Sequence, residues 1–241
     1  MYNNIVNQKR TVLFFMYSNK QDEVFPEFID AFINEYCHMY TPEQIDSVMD
    51  FIEEKFGGGG KRKESGQVAH EITSEYIHTD VAITRNKDYQ HFVTCGMGVR
   101  EMSNWVIMAE EELKRLELFF ILSRKYKLSE KDELILCGEL MRITKYPFKN
   151  NTFFGPGHTI DASKEFKERF GYSYFLFFVP VEKMCVENIG DVHFIPLIPI
   201  YEEEREWMVK NDSFEWLLGA AETLDDFFKI DNKREVFIPN K

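Results

Sequence analysis

Residues 77–98 read IHTDVAITRNKDYQHFVTCGMG. From Ile77 to Thr84 the side chains alternate. Ile77, Thr79, Val81 and Ile83 fall on one side, and His78, Asp80 and Ala82 on the other, as along a half-buried strand. Arg85 to Tyr89 is a polar turn, and His91 to Cys95 is the returning strand. Gly96 and Gly98 bracket Met97 and predict a tight backbone bend. A strand pair closed by such a bend seeds a sheet, and the remaining elements read outward from it.

Upstream, Thr11 to Tyr17 (TVLFFMY) is β-branched and aromatic and predicts a short strand. Residues 23–40 carry Phe25, Phe28, Ile29, Phe32, Ile33 and Tyr36 at helical spacing. Thr41, Pro42 and Gln44 then supply an N-cap, a first-turn proline and a capping box. Ile45, Val48, Met49, Ile52 and Phe56 form the stripe of that helix, and Gly57 is expected to end it in a left-handed conformation. Residues 57–67 (GGGGKRKESGQ) are a loop; Gly60-Lys61 is followed by Arg62, so the phosphate-gripping Walker pattern is absent.

Downstream, residues 109–122 (AEEELKRLELFFIL) predict a helix with Leu113, Leu116, Phe119 and Phe120 inward. Residues 129–146 predict a second, capped by Ser129, with Pro147 beyond its end. Residues 150–160 are a glycine- and proline-broken loop. Residues 173–179 and 192–200 read as strands; Pro196 and Pro199 lack ladder donors and predict an edge strand or a bulge. Residues 202–228 predict two helices broken near Asn211 and Asp212. Helices and strands are interspersed, which predicts an α+β fold: a mixed, largely antiparallel sheet flanked by helices. Residues 1–40 are expected to add a strand and helix to the same globule, and residues 41–241 to form the main domain, with the 57–67 loop inside it.

The chain has 241 residues, 44% hydrophobic, 29% charged and 15% aromatic, which suits a globular protein with a sizeable core. Its formal charge of −12 repels a phosphate backbone and attracts a basic partner, so nucleic-acid binding is not expected. The cysteines at 37, 95, 137 and 185 form no CxxC and read as reduced thiols. No secretory signal is visible, and the most apolar run, Tyr174 to Val181, is too short to span a bilayer. A cytoplasmic protein with no membrane partner is expected.

Hydrolase, zincin and dinucleotide motifs are missing. The strongest chemical candidate is His78-Thr79-Asp80, whose alternate residues share a strand face. With His158, and Glu71 as a fourth member, it could be a metal site or an acid–base pair for a hydrolase. The plainer reading is a buried pair satisfying its own hydrogen bonds. The acidic runs Glu110-Glu111-Glu112 and Glu202-Glu203-Glu204 read as solvated helix starts or as a docking surface for a cationic protein. Trp105, Trp207 and Trp216 are candidates for core or interface.

AHEITSEYIHTDVAI (69–83) followed by HFVTCGMG (91–98) resembles the Suppressor-of-fused domain, in which a Glu and a His-x-Asp strand precede a strand ending Thr-x-Gly-Met. The resemblance continues through Arg115, Glu117 and Leu118, then Pro147, Thr152 and Gly155-Pro-Gly157-His158-Thr159, then Ile198 to Glu203. It covers roughly residues 40 to 235. Gly98 stands where the family usually has Ser, and Phe153 or Phe154 where it often has Trp. The resemblance implies a mixed α/β fold with no catalytic residues, no metal and no cofactor. Animal members grip a transcription-factor peptide as an added strand between two lobes, and this chain matches the first lobe. Stand-alone bacterial relatives resemble immunity proteins that neutralise a cognate toxin by binding it. The resemblance therefore implies a protein partner, such as a basic toxin domain. It marks Glu71, His78, Asp80, Met97, Glu117, His158 and Thr159 as the binding-site candidates.

Overall fold

Helices begin where the sequence supplies caps. In the computed structural model, which describes residues 38–58, 67–70, 77–103, 111–213, 230 and 234–238, all within the unit Cys37–Lys241, Thr41 opens helix α1 (Pro42–Phe56). The Gln44 N–H donates to Thr41 Oγ1 at 3.3 Å, and the Thr41 N–H donates to Gln44 Oε1 at 2.9 Å. Ser129 and Asp132 repeat this reciprocal box ahead of α2 (Glu130–Asn150). Ser163 caps α3 (Lys164–Phe170), which stops at left-handed Gly171. Helix α4 (Glu202–Asn211) ends at left-handed Asp212.

Strands β1 (Gln67–His70), β2 (Asp80–Arg85), β3 (Tyr89–Cys95), β4 (Leu116–Ser123), β5 (Thr159–Asp161), β6 (Tyr174–Phe177), β7 (Glu182–Val186) and β8 (Gly190–Ile200) form one eight-stranded sheet. Its order is β1-β2-β3-β4-β8-β6-β5, with β7 also paired to β8. Only β4 and β8 run parallel. The expected hairpin is present, with Ala82 opposite Val93 and Asp80 opposite Cys95. The architecture is the mixed, largely antiparallel α+β sheet the sequence implied.

Each face of the sheet carries its own core. On one, Val48, Ile52 and Phe56 of α1 pack against Ala82, Val93, Phe119 and Phe194. On the other, Leu136, Leu140 and Ile143 of α2 and Phe166 and Phe170 of α3 meet Val81, Phe92, Leu118, Phe120 and Phe175. Cys95 and Cys137 are buried, while Cys185 is exposed. No helix among the described residues is long and apolar enough to cross a membrane.

Four expectations need correction. The helix expected over 109–122 is absent from its described part: Glu111–Lys114 form a 3-10 turn and Leu116–Ser123 are β4. Leu116, Leu118 and Phe120 face the α2 side, while Phe119 faces α1. A strand buried on both faces has an unbroken apolar run, which carries no period to distinguish it from a helix. Second, β8 is interior, not an edge. Pro196 falls between the residues paired to β7, which end at Phe194, and those paired to β6, which begin at Leu197. Pro199 falls beyond the last residue paired to β4, Pro196. Each proline sits where one neighbouring ladder is interrupted, and the Pro196 carbonyl still accepts from the Phe178 N–H at 3.1 Å. Third, Pro147 lies inside the last turns of α2, which continues to Asn150 and ends at left-handed Asn151. Fourth, Gly57 is extended (φ −80°), not left-handed. The strand expected at 11–17, the helix expected over 23–40 as far as residue 37, the helix after Asp212, and Trp105 and Trp216 fall outside the described residues; residues 38–40 are described and are not helical.

Ser129 supplies the hydroxyl of the box that starts the longest helix. Ser129→Ala is expected to lower the free energy of unfolding by about 1 kcal/mol in chemical denaturation, with helix content unchanged in the native baseline.

Candidate functional site

The chain turns sharply after β3. Gly96 holds φ +135°, and a Cβ there would collide with the His78 carbonyl oxygen, so only glycine fits. This turn aims three consecutive backbone N–H groups inward, away from any ladder. They donate to Glu117 on β4: Gly96 and Gly98 to Oε1 at 2.9 and 3.0 Å, and Met97 to Oε2 at 3.3 Å. Thr94 donates its hydroxyl to Oε2 at 2.5 Å, and Tyr40 donates to Oε1 at 3.2 Å. The Leu118 N–H donates to Thr94 Oγ1 at 2.8 Å, which directs the threonine proton at the carboxylate. Arg115 holds the turn from outside through the Gly98 and Val99 carbonyls at 3.2 and 2.6 Å.

Glu117 is completely buried. Burial disfavours its charge and pushes the carboxyl up to about 7, against the downward pull of the Thr94, Gly96, Gly98 and Tyr40 donors. Burial, then the neighbouring Glu117, raise the Tyr40 phenol well above its ordinary range. Nearby on the α1 face, burial lowers the His91 imidazole to about 4, with the backbone bond to Phe56 opposing.

The marked residues are not gathered in one place. His78 Nε2 and Asp80 Oδ1 are 3.3 Å apart at the start of β2, with side chains 13% and 11% exposed. Met97 is fully buried in the α2-side core. His158 is exposed, with its ring 5.2 Å from Phe153. Partial loss of water lowers the His158 pKa, with a bond to the Phe153 backbone opposing. Thr159, opening β5, accepts from Arg205 Nε at 3.4 Å. Glu71 lies outside the described residues. β2 is next to one end of the strand order and β5 is the other end, so His158 is not brought to the His78–Asp80 pair. Among the described residues, no group of three or more His, Cys, Asp or Glu is arranged to hold a metal.

Two polar clusters carry more of the structure than spacing suggested. One is the Tyr40–Thr94–Glu117 cluster, whose partners are 77 and 23 residues apart in sequence. The second is Glu204, completely buried, which takes both guanidinium nitrogens of Arg234 at 2.6 and 2.7 Å. The run Glu202-Glu203-Glu204 is therefore not simply a solvated helix start. The Tyr201 N–H also donates to Glu204 Oε2 at 2.9 Å, but a tyrosine at the cap position supplies no capping hydroxyl and so no local sequence signal.

Together these features define a mixed α+β domain built around an enclosed carboxylate and a glycine turn. The sequence matches the family described as Suppressor of fused protein (SUFU) over residues 75–239, most of the chain, and the protein belongs to that family. No curated protein sequence matches it. Two solved structures share its fold. One, described as the Sufu-Fu complex crystal structure, has TM-score 0.53 and 12% identity, with 80% of this chain and 91% of that chain covered. The other, Suppressor of Fused from Drosophila, has TM-score 0.50 and 13% identity. The match covers 80% of this chain and 49% of the Drosophila chain.

Gly96→Ala is expected to destabilise the fold by several kcal/mol, because strain and a backbone clash combine. Gly190→Ala, also at positive φ (+104°) but with nothing near the added carbon, should cost only about 1 kcal/mol. Equal losses in thermal melts would contradict the clash.

Glu117 and His91 should shift stability with pH in opposite directions. Glu117 keeps its proton to about 7, whereas the unfolded chain releases it near 4.5, so its contribution is full below about 4.5 and lost as pH rises to about 7. His91 is held at about 4 against 6.5, so its contribution is lost as pH falls from about 6.5 to about 4. Relative to wild type, Glu117→Gln should lose stability as pH falls through this window, and His91→Phe should lose it as pH rises. Each change should be of the order of 3 kcal/mol. Denaturation series at pH 4, 5, 6 and 7 read this directly, and parallel profiles would refute it.

Proposed function

We propose that the chain is a non-enzymatic protein-binding module, acting in the cytoplasm as an immunity protein that neutralises a basic toxin domain by direct contact. The observation that carries this reading is the enclosure of Glu117. The family motif's carboxylate is consumed by five internal donors and has no face toward a substrate. Its role is to hold a scaffold, which leaves function to the surface. The net charge of −12 supports a cationic partner, whose approach such a field accelerates. One structure of similar fold is a complex with another protein. Of the marked residues, the exposed His158 is the one available for direct contact, with Thr159 beside it. His78 and Asp80 then shape the scaffold around the glycine turn, as Met97 and Glu117 do.

The test is to purify the chain with the protein encoded next to it and to follow association by surface plasmon resonance. A one-to-one complex is expected, with the association rate falling about tenfold or more between low and physiological salt. Co-expression should also relieve growth inhibition by that protein. Absence of any complex at low salt, or turnover of a small molecule that disappears with His78→Ala, would overturn the reading.

A further inference from the structure

Residues 234–238, Arg-Glu-Val-Phe-Ile, cross the start of α4 as a strap outside any helix or strand. Its deep contacts belong to one side chain. Arg234 places its guanidinium against Glu204 in a two-pronged bond at 2.6 and 2.7 Å, with side chains 7% and 0% exposed. The same group donates to the Pro199 carbonyl at 3.2 Å, on the flank of β8 that β4 no longer covers. Its carbon lies 5.0 Å from the Tyr201 ring centroid and 5.4 Å from that of Tyr172, and the two rings stand 4.7 Å apart.

The strap backbone is held by side chains rather than by a strand ladder. Tyr201 donates its hydroxyl to the Arg234 carbonyl at 2.7 Å, and the Phe237 N–H donates to Glu204 Oε1 at 2.8 Å. Beyond Arg234 the strap buries little: Glu235 is exposed, and Val236 and Phe237 are 41% and 42% exposed. A planar fork, a buried carboxylate, a carbonyl and two aromatic faces are the chemistry that selects arginine over lysine. Nothing in this grip requires that the arginine belong to the same chain. Any extended segment that presents a guanidinium, its own carbonyl, and an N–H three residues on would reproduce each contact.

We propose that Glu204, Tyr201, Tyr172 and the Pro199 carbonyl form a recognition pocket for an arginine-bearing extended segment of a protein partner, and that Arg234 fills it in the free chain as an internal ligand. The proposal deepens the reading above, since it rests on a basic polypeptide partner. A partner must displace the tethered strap, whose effective concentration lies in the millimolar range. The Val236 and Phe237 side chains are largely exposed, so among the side chains of this stretch the Arg234 guanidinium supplies the deep contact.

The test needs no natural partner, so its failure is separate from failure to find one. The probe is the free peptide Arg-Glu-Val-Phe-Ile, added to the full-length Arg234→Ala variant and followed by NMR shifts and by Tm. Saturable binding is expected, at least about tenfold weaker when the peptide's Arg is replaced by Lys, and at least about tenfold weaker again to the wild-type chain, whose pocket is filled. Equal binding of the Arg and Lys peptides, equal binding to wild type, or no saturation with a folded variant would each overturn the proposal. If Arg234→Ala does not fold cooperatively, Arg234→Lys is used with the same readouts. Failure of both variants to fold would also overturn it, because Arg234 would then be a fixed part of the interior and not an exchangeable ligand.

Discussion

The Glu117 carboxylate sits in the interior with dipoles, not a cation, as its counterweight. Three of its donors are N–H groups of a turn that lies in no ladder. Unmatched, each would carry the full cost of a buried donor. One glutamate with two oxygens answers all three and has capacity left for Thr94 and Tyr40. The arrangement ties four separate pieces together: the end of β3, the glycine turn, β4, and the segment leading into α1. It also explains the backbone. Gly96 needs a positive φ because the turn must aim its donors at one point while passing against the His78 carbonyl. Gly98 has no room for a side chain either, since an added carbon would lie 2.5 Å from the Tyr40 hydroxyl.

The sheet around this point is organised by β4 and β8. They are adjacent and parallel, and both are covered on their two faces. Central strands of this kind need apolar residues at nearly every position. Glu117 is the exception in β4, and it is tolerated because its polar demand is met completely. In β8 the departures are Asp191, the buried His193, and Pro196 and Pro199, each proline at an interruption of a neighbouring ladder. At the second of these interruptions the Pro199 carbonyl is left without a strand partner, and the Arg234 guanidinium supplies the donor. Irregularities in the two central strands thus lie beside the two completely buried glutamates, Glu117 and Glu204, among the described residues.

What could be read beforehand follows from the range of the interactions. Caps at Thr41 and Ser129 lie within three residues of their partners. The β2–β3 hairpin is equally local, and its alternation shows in Val81 and Ile83 against Ala82. The mixed antiparallel class followed from such pieces, and the family from the order of its motifs. β4 was misread because LELFFIL satisfies helical and extended patterns alike. The Glu117 cluster was not legible as a cluster, since Tyr40 is 77 residues away and nothing local marks it as a donor. Glu204 was hidden in a run of three glutamates, two of them exposed, because only the arriving Arg234 distinguishes it.

The two completely buried carboxylates among the described residues, Glu117 and Glu204, divide the interior into a fixed part and an exchangeable one. Around Glu117 every donor but Tyr40 belongs to β3, its turn or β4, so emptying that site would require dismantling the centre of the sheet. Around Glu204 the counter-charge arrives on a short segment whose Val236 and Phe237 side chains are largely exposed. Removing a lone partner from a buried ion is costly, so such a site stays filled. Filled does not mean filled by one molecule, however: a second guanidinium can take over as the first leaves, with no stage at which the carboxylate is bare. A binding protein benefits from that asymmetry. Its scaffold is held by bonds no partner can reach, while one charged pocket at the rim of the sheet keeps its specificity for a planar cation whichever chain supplies it.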